Sequence, residues 1–133
     1  MRSTYRNPPA VAAPLGRYSH VVRTETGDAA WIHVSGQLAF EPDGTFVGEH
    51  DLRRQTERVF ENLRLILEAE GATFADVVKL STFLTTMEDL DGMREVRSRY
   101  VVSDPPASTT VQVTALVRPD AMIEVDLVAV VPS

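Results

Sequence analysis

Along this chain the spacing of apolar side chains switches between a period of two and a period near 3.6, and the switches divide it into elements. Tyr18 to Glu25 and Ala30 to Gln37 are β-favouring runs separated by Thr26-Gly27-Asp28-Ala29, which suits a tight reversal and predicts a hairpin. With Glu25 opposite Ala30, Tyr18, His20 and Val22 share a face with Gln37, Ser35 and His33. Val21 with Val34 and Arg23 with Ile32 then lie behind. Glu41-Pro42-Asp43-Gly44 marks a turn between Phe40 and Phe46, which suits a second, shorter hairpin or an ordered loop. Leu52, Val59, Leu63, Ile66 and Leu67 then recur at helical spacing behind Asp51 as the cap. Arg53, Arg54, Glu57, Arg58 and Glu61 supply the wet side, and Gly71 ends the helix.

A β-favouring run from Val77 to Leu84 follows, then a second helix from about Leu90 to Tyr100 with Met93 and Val96 inward, closed by Pro105 and Pro106. Two alternating strands complete the chain, Thr109 to Leu116 and Met122 to Val131. The order ββ(β)αβαββ predicts an α+β fold, a sheet with both helices on one face. Two helices cannot shield both faces, and Val128 and Val130 fall opposite the row from Ile123 to Ala129, so further copies of the chain are the expected cover.

Residues 1–16 contain Pro8, Pro9, Pro14 and Gly16 and read as an extended lead-in to a single domain spanning residues 1–133. The net charge of −6 opposes attraction to nucleic acid or an anionic membrane. Without cysteine there is no disulfide, thiolate metal site or cysteine nucleophile. No signal-like or membrane-spanning apolar stretch occurs, so a cytoplasmic location is expected.

His20, His33 and His50 lack the short spacing of a metal site, no Gly-rich phosphate cradle is present, and no serine lies in G-x-S-x-G; neither metal nor cofactor is expected. Glu124 and Asp126 share a strand face about 7 Å apart, a spacing that suits paired acid–base chemistry but equally a solvated face. Tyr18 offers a hydroxyl to a ligand or simply packs at an interface, and Gly36 after Ser35 allows close approach to the backbone or marks a turn.

The succession Gly16-Arg17-Tyr18-Ser19-His20, Val34-Ser35-Gly36-Gln37, Gln55 with Asn62-Leu63, Gly71-Ala72, Asp76-Val77-Val78-Lys79 and Ile123-Glu124-Val125 with Ala129 resembles the RidA/YjgF family, in that family's order from Pro14 to Val130. The resemblance implies a chorismate-mutase-like homotrimer with small-molecule clefts between subunits and hydrolysis of reactive enamines and imines without a cofactor. It implies that Glu124 carries protons and that Tyr18, Ser35, Gly36 and Thr110 shape the ligand site. Where deaminating members carry Pro-Ala-Arg, this chain reads Pro106-Ala107-Ser108, so Ser108 replaces the arginine that grips a substrate carboxylate. Arg94 stands where an asparagine is usual and offers a cation from another direction, although with Arg97 it also fits an ordinary wet helix face.

These residues point to a divergent, cofactor-free imine or enamine hydrolase that is not the standard 2-imino acid deaminase. A metabolite-binding trimer without turnover is the alternative. A ribonuclease or translation inhibitor comes third, against the acidic balance.

Overall fold

The computed structural model describes residues 1–133. Six strands, β1 (Arg2–Arg6), β2 (Val21–Thr26), β3 (Ala29–Gln37), β4 (Val77–Leu84), β5 (Ala107–Gln112) and β6 (Ile123–Pro132), form one sheet in the order β1-β2-β3-β6-β4-β5. Every neighbouring pair is antiparallel except β4 and β5, which run parallel and are joined by helix α2 (Leu90–Ser98). Helix α1 (Leu52–Ala69) lies over β3 and β6 and packs against α2, so both helices cover one face.

The hairpin forms in the expected register, with Glu25 opposite Ala30 and Gly27 turning the chain at φ +61°. Asp51 caps α1 by accepting from the Arg54 N–H at 3.0 Å, a contact that contributes about 1 kcal/mol. Leu52, Val59, Phe60, Leu63, Ile66 and Leu67 bury the inner stripe of α1 against Ile32, Val34, Leu80, Ile123, Val125 and Leu127.

Several sequence-based boundaries are corrected. The lead-in is not featureless: Arg2–Arg6 forms edge strand β1, paired with β2 from Arg2↔Glu25 to Arg6↔Val21. Its anchor is long-range, since both Glu70 carboxylate oxygens accept from Arg6, at 3.1 and 3.0 Å, and the Glu70 side chain is 1% exposed. The turn at residues 41–44 supports only the single bridge Phe40↔Phe46, so the extra strand of the order lies at the N-terminus. β5 stops at Gln112 rather than Leu116, and α2 stops at Ser98. Arg58 is not on the wet side; its side chain is 12% exposed and donates to Glu41 and Asn62.

Two buried amides of α1 fix the loops that lead to the outer face. Gln55 donates to the carbonyls of Gly48 and Asp120 and accepts from the Met122 N–H at 2.8 Å, which sets where β6 begins. Asn62 donates to the carbonyls of Leu38 and Phe40 just beyond β3. Both side chains are buried, and each joins backbone groups that no strand partner satisfies.

Candidate functional site

β3 and β6 lose register near the end of β3. Val34 pairs with Leu127 and Gln37 with Val125, so Ser35 and Gly36 together stand opposite Asp126 as a β-bulge. The bulge is tied to the chain entering the sheet. The Ser35 hydroxyl donates to the Ser19 carbonyl at 2.6 Å, and its N–H donates to the His20 carbonyl at 2.9 Å. With its proton committed, the Ser35 hydroxyl has lone pairs to offer a ligand but no donor.

His20 holds the same corner from behind. Its Nε2 lies 2.7 Å from the Ala12 carbonyl, which accepts only a proton, so Nδ1 is left to accept from the Gln37 amide at 3.1 Å. This ring is a buried strut. The expected sharing of a face by His20 and His33 fails, because His20 precedes β2 and turns inward while His33 stands exposed on β3. The Tyr18 ring meets the His20 ring edge-on, centroids 6.1 Å apart, and its oxygen accepts from the Leu15 N–H at 3.2 Å.

Glu124 points to the outer face of β6, between the bulge and Phe83 of β4. Its carboxylate lies over Gly36, where a Cβ would stand 2.5 Å from Oε2 and 2.6 Å from Cδ. No protein group donates a hydrogen bond to it, and burial pushes its pKa above the usual carboxylate range, with the charge of Asp126 adding to the effect. Burial also raises Asp126, against the opposing pull of Ser81 and Lys79.

Tyr18, Ser35, Gly36 and Glu124 line one open cavity of about 420 Å³, walled by Leu15, Gly16, Leu38 and Val117. Leu15, Leu38 and Val117 carry no signal in the sequence because they lie in irregular segments with no period. The nearest signal was Gly16 within the motif before Tyr18.

Arg94, Ser108 and Thr110 do not line this cavity. Ser108 and Thr110 pair with Leu80 and Thr82, which point toward the helices, whereas Glu124 sits on the opposite face with Phe83. Arg94 is 57% exposed on α2, with only a 4.0 Å approach to Asp91. The sequence-predicted residues thus fall into two groups on opposite faces of one subunit.

A second depression of about 410 Å³ lies between the end of α1 and α2, lined by Phe74, Tyr100, Arg64 and Arg99. Both arginines are already paired, Arg64 with Glu61 and Glu68 and Arg99 with Glu57 and Glu95, so it lacks a free group to orient a ligand. No helix is long and apolar enough to cross a membrane.

Residues 9–131 match the family profile described as Endoribonuclease L-PSP. The chain is 39% identical over 116 residues to protein DfrA of Myxococcus xanthus, covering 87% of this chain and 86% of that one. It is 35% identical over 116 residues to a RutC family protein of Pyrococcus abyssi, covering 87% of each. The crystal structure of RidA from an Antarctic Psychrobacter superposes with a TM-score of 0.84 at 29% identity, over 96% of this chain and 99% of that one.

Proposed function

The chain belongs to the Endoribonuclease L-PSP family, the family of RidA, and on that footing we propose that it is a cytoplasmic, cofactor-free hydrolase of a reactive imine or enamine. Its clefts would lie between the subunits of a homotrimer. One subunit supplies Tyr18, Ser35, Gly36 and Glu124, and its neighbour supplies the edge bearing Ser108, Thr110 and Arg94. The division of these residues between two faces supports that assembly, as does the apolar outer face, where Tyr5, Trp31, Val78 and Val111 are exposed.

The observation that carries the reading is Glu124: a half-buried carboxylate with a raised pKa, without a protein donor, in a cavity beside two hydroxyls. As the acid it gives its proton to the imine nitrogen, and water adds to the carbon of the resulting iminium. The excess proton of the added water returns to the carboxylate. A second transfer from Glu124 to nitrogen lets the C–N bond break. Ammonia leaves, the carbinol proton restores the carboxyl group, and the sum is imine plus water giving carbonyl plus ammonia.

Because Ser108 is neutral, the substrate is not the standard 2-imino acid: loss of a charge-assisted contact costs roughly 1.5–3 kcal/mol, about tenfold to a hundredfold in affinity. The same neutrality favours a second reading, a trimer that binds a metabolite without turnover. A ribonuclease is a poor third, because the cavity carries a carboxylate and the chain a charge of −6.

Imines generated in situ by an oxidase test the proposal through ammonia release above the spontaneous rate. We expect acceleration that Glu124→Gln abolishes. Equal rates for the two proteins would overturn the role of Glu124, and ligand binding without acceleration would select the second reading.

A further inference from the structure

Resting on the hydrolase reading, we infer that the Glu124 cavity selects a substrate that has no carboxylate and presents a cationic or readily protonated nitrogen, an amine-derived imine rather than an amino-acid-derived one. The charge inventory leads there. Of the eight lining residues, Glu124 is the sole ionisable group apart from the Tyr18 phenol, and none is a cation. The next acid on its strand, Asp126, adds a second negative charge at its own edge of the same outer face. The chain's single lysine, Lys79, acts on Asp126 and donates to Thr109 at 2.7 Å.

Arginines near the cavity in sequence are no better placed. Arg118, beside Val117, is bound at 2.6 Å to Asp120 and lies over the Phe46 ring, 4.5 Å from its centroid. Arg17 is exposed and lines no part of the cavity. A substrate carboxylate here would meet a desolvated carboxylate with nothing to neutralise either. An ammonium or iminium N–H instead supplies the donor that Glu124 lacks and forms a charge-assisted hydrogen bond. Ser35 presents only oxygen lone pairs to the cavity, since its proton is already given to Ser19, and so adds an acceptor for a cationic nitrogen rather than a donor for a carboxylate. The apolar walls, Leu15, Leu38 and Val117, suit an uncharged aliphatic or aromatic remainder.

A neighbouring copy brings the neutral Ser108 and Thr110, so a cation able to reverse this preference would come from α2, where Arg94 is exposed and loosely held and the part-buried Arg97 beside it has no carboxylate partner. Arg94→Ala and Arg97→Ala are the variants that test this.

The test uses the full chain and two imine classes: aldimines made from benzylamine by an amine oxidase, and 2-imino acids made from alanine or phenylalanine by an amino-acid oxidase. We expect acceleration at least about tenfold greater for the aldimines, a preference that Arg94→Ala and Arg97→Ala keep whatever they do to the absolute rate. Ser108→Arg, at an exposed position, should shift the preference toward the 2-imino acids. Greater acceleration of 2-imino acids by the unaltered chain, or a preference for aldimines lost in either arginine variant, would overturn the inference while leaving the hydrolase intact.

Should neither class be accelerated, the hydrolase reading fails, and calorimetry with benzylammonium and with benzoate still decides the selectivity. Tighter binding of benzylammonium, strengthening as pH rises and Glu124 ionises, supports the inference. Tighter binding of benzoate, or binding of neither, ends it.

Discussion

Gly36 and Glu124 occupy one space: the carboxylate of Glu124 covers the α-carbon of Gly36 so closely that a methyl group there would overlap Cγ, Cδ and Oε2, at 2.9, 2.6 and 2.5 Å. The bulge places a residue without a side chain opposite β6, and this lets an acid fold down over the backbone and lose part of its water. A position that looks like a simple turn in the sequence therefore sets the properties of the acid.

Gly36→Ala should accordingly impair chemistry more than folding. Residue 36 has a backbone that any amino acid adopts, so the clash is relieved by swinging the flexible Glu124 side chain away, at a stability cost of about 1–3 kcal/mol. Misplacing the acid by about 1 Å costs up to about a hundredfold in rate. Imine hydrolysis and chemical denaturation of the same variant measure the two effects; a rate unchanged from the parent would refute the placement of Glu124.

Glu124 and Asp126 make stability fall with rising pH. Both carboxyls are raised in the folded chain by burial, so between their ordinary values, 4.5 and 3.8, and their raised ones the folded state holds more protons than the unfolded state. Unfolding free energy then decreases as pH climbs through that window, and the contribution is fully present only below it. Urea titrations at stepped pH should show a shallower decline for Glu124→Gln than for the parent. An equal or steeper decline counts against the desolvation of Glu124.

Gln55→Leu should cost about 3 kcal/mol or more. It strands the carbonyls of Gly48 and Asp120 and the N–H of Met122, part-buried groups worth about 1 kcal/mol or more each when unpaired. Because Met122 immediately precedes β6, the variant should also lose activity before it unfolds. Urea midpoints with activity measured alongside check both.

Trp31, 42% exposed on the face away from the helices, should be covered in the assembled protein. Sedimentation should give the mass of three chains, with Trp31 emission shifted to the blue relative to a dissociated sample. Trp31→Glu should yield monomers, and loss of activity with them would show that the cleft needs two subunits. A parent chain that sediments as a monomer would defeat the shared-cleft proposal.

Features that depend on near neighbours are legible in the chain alone. Hairpin register followed from alternation around Gly27-Asp28, and the α1 stripe from Leu52 to Leu67 followed from helical period and the Asp51 cap, because local sterics and one buried face fix both. The sequence also singled out Tyr18, Ser35, Gly36 and Glu124, which the fold gathers around one cavity. Features that depend on distant partners emerge with the fold. Strand β1 has too little apolar pattern to be read, since it is held by edge pairing and by Arg6 on Glu70, 64 residues away. His20 turned inward because Ala12 and Gln37 take both ring nitrogens. Insertion of β6 between β3 and β4 set Glu124 over Gly36 and left Ser108 facing the other way. Spacing along a chain encodes which face a side chain takes within its own element, but not which element lies beside it, because strand neighbours are chosen by burial summed over the whole sheet.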